Sequence, residues 1–470
     1  MSEDNQVREA LQSVAPHPEV PADLLSGAKR RRARNHRRAL AGTGVAAVVL
    51  FAGVMLPRLP IGGVGSATDS VVPASAQEER ATDPEGGADV GVLGDEDGMA
   101  SQAVNDKAYR VTEGVDVAVE ASERLGWEAI VNSDGVNRVV SPSSIALSLA
   151  VAGEGAEGIS AESVDRALGL DREVRLEAFD ALRTSLNGYD TPPWALDLDI
   201  PPETPAVHQA NRVVTVDTTA EQPFLDRLAP FHVLVEEIAF AHAQADLDNW
   251  VVEHTGGLID RSGVVVTPNT EVVLQDALFF AAAWRVPFFE EAVLPFEGPD
   301  GPIDVDMLLG QPHARYASGR RWEAVRLDYD DALAADVILP APGVAPSELT
   351  VEELDEAGRA LDLAERESIP VTMPALDIEA KTDLTRALPD VELSNLNGIV
   401  PGGQAQEWAQ QARLRVTLEG TVGAAVTEMA VATSEPLHEL IVDRPYVFRV
   451  LDTRTGWPLF LAAIGDPSAG

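Results

Sequence analysis

The chain has 470 residues, 45% of them hydrophobic, enough to bury a core in one large domain or two ordinary ones. Its net charge of −41, from 35 basic and 76 acidic residues, argues against nucleic acid as a partner, because phosphate binding needs a basic surface. There is no cysteine, which removes disulfides, thiolate catalysis and cysteine-based metal sites.

Residues 1–38 read as a cytoplasmic N-terminal segment, polar at first, with a short helical pattern near Val7 and Val14. Seven basic residues close it: Lys29, Arg30, Arg31, Arg32, Arg34, Arg37 and Arg38. Residues 39–56 are apolar except for Thr43 and span about 27 Å as a helix, near the short limit for crossing a bilayer. The basic run before them predicts a transmembrane helix with the rest of the chain exported. The alternative is a cleaved signal peptide. Ala74-Ser75-Ala76 would be its site, but it lies far beyond the apolar stretch, which favours an uncleaved anchor. Residues 57–106 are rich in Gly, Ala, Asp, Ser and Pro without periodicity and read as a disordered linker. A globular part runs from 107 to 470. Lysine occurs only at Lys29, Lys107 and Lys381, which suits a salty environment or a GC-rich genome.

Within the globular part, residues 144–152 read as a buried helix and 272–280 as a buried strand. Residues 334–339 form a β-branched run ending at Pro340. Leu414, Val416 and Leu418 alternate with Arg413, Arg415 and Thr417, the pattern of a half-buried strand. Residues 446–451 and 458–464 predict two closing strands around a turn at 452–456. Helices crowd the first half and strands the second, so the expected class is α+β.

No enzyme signature accompanies these elements. There is no Gly-x-Ser-x-Gly elbow, no His-Glu-x-x-His and no Gly-Lys-Ser/Thr phosphate loop. The eight histidines include no pair spaced by three or four residues, and His254 reads as an ordinary polar residue. The expectation is a protein that is not an enzyme, with no metal and no cofactor.

The informative stretch is 419–436, EGTVGAAVTEMAVATSEP. It is long, rich in small residues and able to form a strand, whereas an ordinary surface loop holds more Gly, Pro and Asp. At period two, one face is Thr421, Gly423, Ala425, Thr427, Met429 and Val431; the only charge, Glu428, falls on the other. The segment is suited to entering a sheet, though a fixed edge strand or the end of an Ala-rich helix fits the pattern as well.

The run Glu419-Gly420-Thr421-Val422-Gly423-Ala424-Ala425 resembles the hinge of the serpin reactive-centre loop. Other segments resemble serpin signatures in the right order: NRVVSPSSIALSLAVAGEGAEG at 137–158, Asn249-Trp250-Val251 with Thr255, Gly257 and Ile259, LQDALFFAAAWRVPF at 274–288, DRPYVF at 443–448 and GDPS at 465–468. The resemblance covers about 107–468. It implies the serpin fold, with helices packed on a large central β-sheet, smaller sheets and an exposed reactive loop. It also implies a serine-protease inhibitor that is cleaved, forms an acyl-enzyme and traps the protease by inserting its loop into the central sheet. The alternative is a non-inhibitory serpin-fold protein of the cell envelope, and a transmembrane signalling role for the N-terminal segment stays open.

From the same resemblance, Gly420 and Pro445 lie 25 positions apart, as in inhibitory members, and the count places the reactive bond at Ser434–Glu435. Cleavage one or two residues earlier is the alternative, since Glu435 and Pro436 hinder many proteases. Small residues before the bond suit an elastase-like or subtilisin-like target, a serine protease or else a cysteine protease. Ser141, Ser144, Asp276 and Gln410 fall at the shutter of the sheet and Trp284 at its breach. Gln410 stands where the family has histidine, and Asp276 where it has asparagine; a Gln–Asp pair could still hydrogen-bond. Val426 is bulkier than the usual hinge residue.

Overall fold

The structure is a computed structural model, and it describes residues 114–231, 233–405, 408–421 and 437–469. Among them are three sheets and eight α-helices. The central sheet has the order β12 (Leu376–Asp383), β13 (Ala409–Val416), β14 (Gly420–Thr421), β4 (Val272–Ala283), β2 (Ala206–Val216) and β3 (Leu234–Ile238). Every pairing is antiparallel except β2 with β3. A seven-stranded sheet runs β1 (Asn137–Val140), β17 (Trp457–Ile464), β16 (Tyr446–Asp452), β9 (Leu333–Pro340), β8 (Trp322–Asp328), β7 (His313–Ser318) and β10 (Arg366–Ser368). A third sheet holds β15 (Leu440–Ile441), β11 (Val371–Pro374), β6 (Gly301–Gly310) and β5 (Glu290–Gly298).

The helices are α1 (Val115–Val131), α2 (Pro142–Gly155), α3 (Ile159–Leu168), α4 (Arg172–Ser185), α5 (Gln222–Leu228), α6 (Phe240–His254), α7 (Val351–Leu363) and α8 (Leu384–Ala387). Helix α2 is buried along its whole length apart from Ser148, so it is apolar or small on all sides rather than striped. Ser141 starts it: its hydroxyl caps the Ser144 amide, and Pro142 occupies the first turn, where no amide hydrogen is needed. Gly155 ends it against residue 399, where a Cβ would come within 2.1 Å of the Ile399 side chain. Helix α2 packs on β4 and β17, so it joins the two large sheets. Helix α6 lies on the other face of the central sheet, across β2 and β4.

Charge is buried where the sheets and helices meet. Arg326 grips Asp336 with two hydrogen bonds, at 2.6 and 2.9 Å, and Arg449 adds a third at 2.7 Å while also pairing with Glu123. Burial alone would raise the Asp336 carboxyl, but the two guanidinium groups outweigh it and hold it below the ordinary carboxylate range.

The α+β expectation holds, and the predicted helix and strands appear with longer bounds. The exception is the strand through Leu418: β13 stops at Val416, because the chain turns sharply through Thr417–Glu419. No helix among the described residues is long and apolar enough to cross a membrane. Residues 39–56, the linker at 57–106 and the pattern near Val7 lie outside the described residues.

Candidate functional site

The site is the seam of the central sheet between β4 and β13. Its upper end is built by the tight turn after β13. The Thr417 amide donates to the Gly420 carbonyl at 2.8 Å, and the Thr417 hydroxyl donates to the same carbonyl at 3.1 Å. Trp284, just past the end of β4, fastens this turn twice. Its backbone amide donates to the Glu419 carbonyl at 2.7 Å, and its indole N–H donates to the Thr417 carbonyl at 3.1 Å. The Phe288 amide holds the Leu418 carbonyl at 2.9 Å.

The turned-back chain then enters the seam. Gly420 pairs with Ala283, and Thr421 pairs with Ala282 on one side and Val416 on the other. A Cβ on Gly420 would lie 2.1 Å from the Ala282 carbonyl oxygen, so only glycine fits this approach. Thr421 is 3% exposed and its hydroxyl is 2.6 Å from that of Tyr329. Tyr329 stacks on Trp284 at 4.5 Å between ring centroids and meets the edge of Phe280 at 5.0 Å. The head of the seam is thus an aromatic block that receives one threonine. Of the seven residues expected at the hinge, Glu419, Gly420 and Thr421 stand here; Val422, Gly423, Ala424 and Ala425 lie outside the described residues, as do Ser434 and Glu435.

Farther down, β4 and β13 do not pair with each other among the described residues; β14 alone joins them. A cavity of about 100 Å³ runs through the seam, lined by Ser144 and Phe460 on its core side and by Val251 of α6 and Ile259 on the other. Here the structure brings Ser141, Ser144, Asp276 and Gln410 together. The Gln410 side chain clips the backbone of Ser141: Oε1 accepts from the Ser141 amide at 2.8 Å, and Nε2 donates to the Ser141 carbonyl at 3.1 Å. The Ser141 hydroxyl donates to that of Ser144 at 3.0 Å. A Gln410–Asp276 hydrogen bond is not formed; Gln410 faces the Ser141 backbone instead. Neither Asp276 oxygen has a hydrogen-bond partner of ordinary geometry. Burial pushes its carboxyl up to about 7, only partly offset by the Ser144 hydroxyl and the Gln209 amide nearby.

Two groups were not legible in the sequence. Tyr329 reaches the hinge from the turn after β8, and no local spacing connects it to Thr421. His208 of β2 and His254 at the end of α6 meet, with His208 Nε2 2.9 Å from His254 Nδ1 and His208 Nδ1 2.8 Å from Asp190. They are 46 residues apart, so neither spacing nor periodicity joins them. No cluster of three or more metal-ligating side chains occurs among the described residues.

Comparison with known proteins gives these features a family. The family model described as serpin (serine protease inhibitor) matches residues 124–467. A serpin-like protein of Thermococcus kodakarensis is 26% identical over 71% of this chain and 82% of its own length. Serine protease inhibitor 42Dd of Drosophila melanogaster is 26% identical over 72% of this chain and 94% of its own. Among solved structures, the thermophilic serpin tengpin in its native state superposes with a TM-score of 0.64 at 19% identity, covering 74% of this chain and 94% of tengpin. Serpin48 of the insect Tenebrio molitor gives a TM-score of 0.61 at 21% identity, covering 75% of this chain and 98% of its own. The sheets and helices described above are the serpin fold, and the chain belongs to the serpin (serine protease inhibitor) family.

Proposed function

We propose that this chain inhibits serine proteases by trapping them. A target protease cuts the loop that follows β14, at Ser434–Glu435 or one or two residues earlier, and is held as an acyl-enzyme. The cut segment then enters between β4 and β13 as a new strand and carries the protease away before it can be released. Ladder hydrogen bonds and apolar burial drive this step, so the uncut protein is metastable.

The observation that carries the reading is the placement of Gly420 and Thr421. Gly420 and Thr421 already sit between β13 and β4, and among the described residues a cavity separates the strands below them. The small residues before the reactive bond suit an elastase-like or subtilisin-like target. Trp284 acts at the breach by fastening the turn, and Ser141, Ser144, Asp276 and Gln410 act at the shutter, where the strands part. We place the serpin domain, 107–470, outside the cell membrane on the anchor 39–56, with residues 1–38 in the cytoplasm.

The full chain incubated with a panel of serine and cysteine proteases is expected to give a covalent, denaturant-resistant complex with at least one small-residue-specific serine protease. Cleavage by every active protease without any complex would point to a serpin-fold protein that does not inhibit. For the anchor, the full chain is expected in the membrane fraction; release of a chain starting near residue 77 would identify a signal peptide instead.

A further inference from the structure

On the face of the central sheet that α6 covers, two histidines are set nitrogen to nitrogen. In β2, His208 shares its side of the strand with Val214 and Val216, which pack with Ala243 and Leu247 of α6. In α6, His254 continues the stripe of Ala243, Leu247 and Trp250 at helical spacing. Both patterns turn their rings into the joint between the helix end and the sheet, where His208 Nε2 lies 2.9 Å from His254 Nδ1. The ring planes differ by 11°, and 2.9 Å is too close for stacked faces, so the rings meet edge to edge.

His208 is fixed from behind. Its Nδ1 is 2.8 Å from Asp190, on the turn after α4, and donates there, because an ionised carboxylate only accepts. In the neutral ring Nε2 therefore presents a lone pair. That turn is itself pinned, since the Tyr189 hydroxyl donates to Asp330 at 2.6 Å. His254 is neutral near pH 7: burial first, then His208 and Arg212, push its ring down to about 4 from 6.5. Arg212 is engaged elsewhere, with Glu236 at 2.8 Å, Asp246 at 2.7 Å and Gln275 at 2.9 Å. The joint is open to solvent, because the His208 side chain is 13% exposed and Trp194, edge-on to both rings at 5.8 and 6.0 Å, is itself exposed. Two neutral imidazoles with converging nitrogens, one of them backed by a carboxylate, are donors for a transition metal rather than for calcium or magnesium, which take oxygen.

We propose that His208 and His254 hold a divalent transition metal of the zinc class, with Asp190 as the outer partner that orients His208, and that the metal staples the end of α6 to the central sheet. Bonds of about 2.0–2.1 Å at a tetrahedral angle need the nitrogens about 3.4 Å apart, so the rings part by about half an ångström. The His254 proton leaves Nδ1 and is taken up at Nε2, so the ring stays neutral while Nδ1 donates its electron pair to the metal. Water fills the remaining positions, as in an open site.

The test titrates the full chain with Zn2+ in excess Mg2+, which occupies the acidic surface without competing for imidazole. One Zn2+ per chain is expected to bind, raising the thermal midpoint by about 2–4 °C at a hundredfold excess over the dissociation constant and slowing hydrogen exchange in 247–254. His208→Gln and His254→Gln, each compared with its own metal-free midpoint, should lose the rise. Asp190→Asn should weaken binding about tenfold without abolishing it. The Asp190 side chain is 57% exposed on its turn, so this variant serves even where a histidine variant does not fold. Ni2+, with its open d shell, should bind at the same place and quench Trp194 and Trp250, and that quenching should be lost in His254→Gln. Absence of saturable Zn2+ binding, or binding unchanged in both histidine variants and in Asp190→Asn, would overturn the site. Binding at the histidines with exchange in α6 unchanged would overturn the staple.

Discussion

The two ends of the seam are built on opposite plans. At the head, the polar groups of the incoming chain find partners: the Thr417 and Glu419 carbonyls in Trp284, the Leu418 carbonyl in Phe288, and the Thr421 hydroxyl in Tyr329. At the middle, the side-chain polar atoms of Asp276 and Gln209 are shut off from solvent without a hydrogen bond of ordinary geometry, and Gln410 is turned toward Ser141. A satisfied polar cluster fixes one arrangement, and an unsatisfied one raises the free energy of the arrangement it sits in. The head therefore holds the hinge in place, and the middle biases the sheet toward whatever will fill it.

The sharpest way to break this contrast is to spoil the head. Thr421→Arg forces a charge against Tyr329 and Phe280, and an unpaired buried charge costs several kcal/mol, about 3 or more. The outer part of the loop is unchanged, so it should still be cut. Insertion would lag, cleaved protein should accumulate, and the covalent complex with a susceptible protease should fall at least about tenfold, equivalent to about 1.4 kcal/mol in the partition between trapping and release. Val422→Arg is the control, since the alternation puts it on the other face. Equal trapping by the parent and both variants would show that the face is wrongly assigned.

Trp284→Phe tests the same end more gently. It keeps an aromatic ring for Tyr329 but removes the indole N–H, leaving the Thr417 carbonyl short of its donor. The expected cost is about 1–2 kcal/mol, read as a lower thermal midpoint of the uncut protein. A variant with an unchanged midpoint would mean that the backbone bonds to Glu419 and Leu418 hold the turn by themselves.

How much of this the sequence made legible follows from how local each signal is. The buried helix α2, the strand β4 and the closing hairpin of β16 and β17 are continuous patterns, and all were readable. Of the alternation expected in 421–431, Thr421 alone lies among the described residues, and it is buried. That Gln410 would bond the Ser141 backbone was not legible, because the two are brought together from distant parts of the chain. Tyr329, Gln209 and the His208–His254 pair are tertiary coincidences, set by which strands the helices cover. The places expected of Val422–Ala425, Ser434 and Glu435 rest on the resemblance alone.

The middle of the seam can be examined without cutting the loop. With its carboxyl raised to about 7 from an ordinary value of 3.8, Asp276 binds a proton in the folded chain over a range where the unfolded chain has lost it. Its contribution therefore favours the fold at low pH and is lost as pH rises between those values. Asp276→Asn removes that slope. The variant should unfold at a higher temperature than the parent above about pH 7 and come closer to it near pH 4. Parallel midpoint curves for parent and variant would mean that Asp276 finds a partner in solution, and the contrast between head and middle would lose its main support.

The smallest expected effect lies under α6, and it runs the other way with pH. Burial first, then His208 and Arg212, push the His254 ring down to about 4 from 6.5. The neutral ring is what lets His254 Nδ1 face His208 Nε2 at 2.9 Å, since two protonated nitrogens cannot share that contact. A second proton would part the rings and loosen the end of α6 from β2. The folded chain resists this proton and the unfolded chain does not, so stability is full above pH 6.5 and falls as pH drops toward 4. His254→Gln retains a polar side chain without the titration. It should lose a few degrees at neutral pH, from poorer packing against Trp250, and decline less steeply than the parent below about pH 6. Because α6 covers β4, the same loosening should speed opening of the seam, seen as faster hydrogen exchange in 272–283 at acid pH in the parent than in the variant. Equal exchange in both would confine the histidine pair to holding the helix end, with no bearing on the strands beneath it.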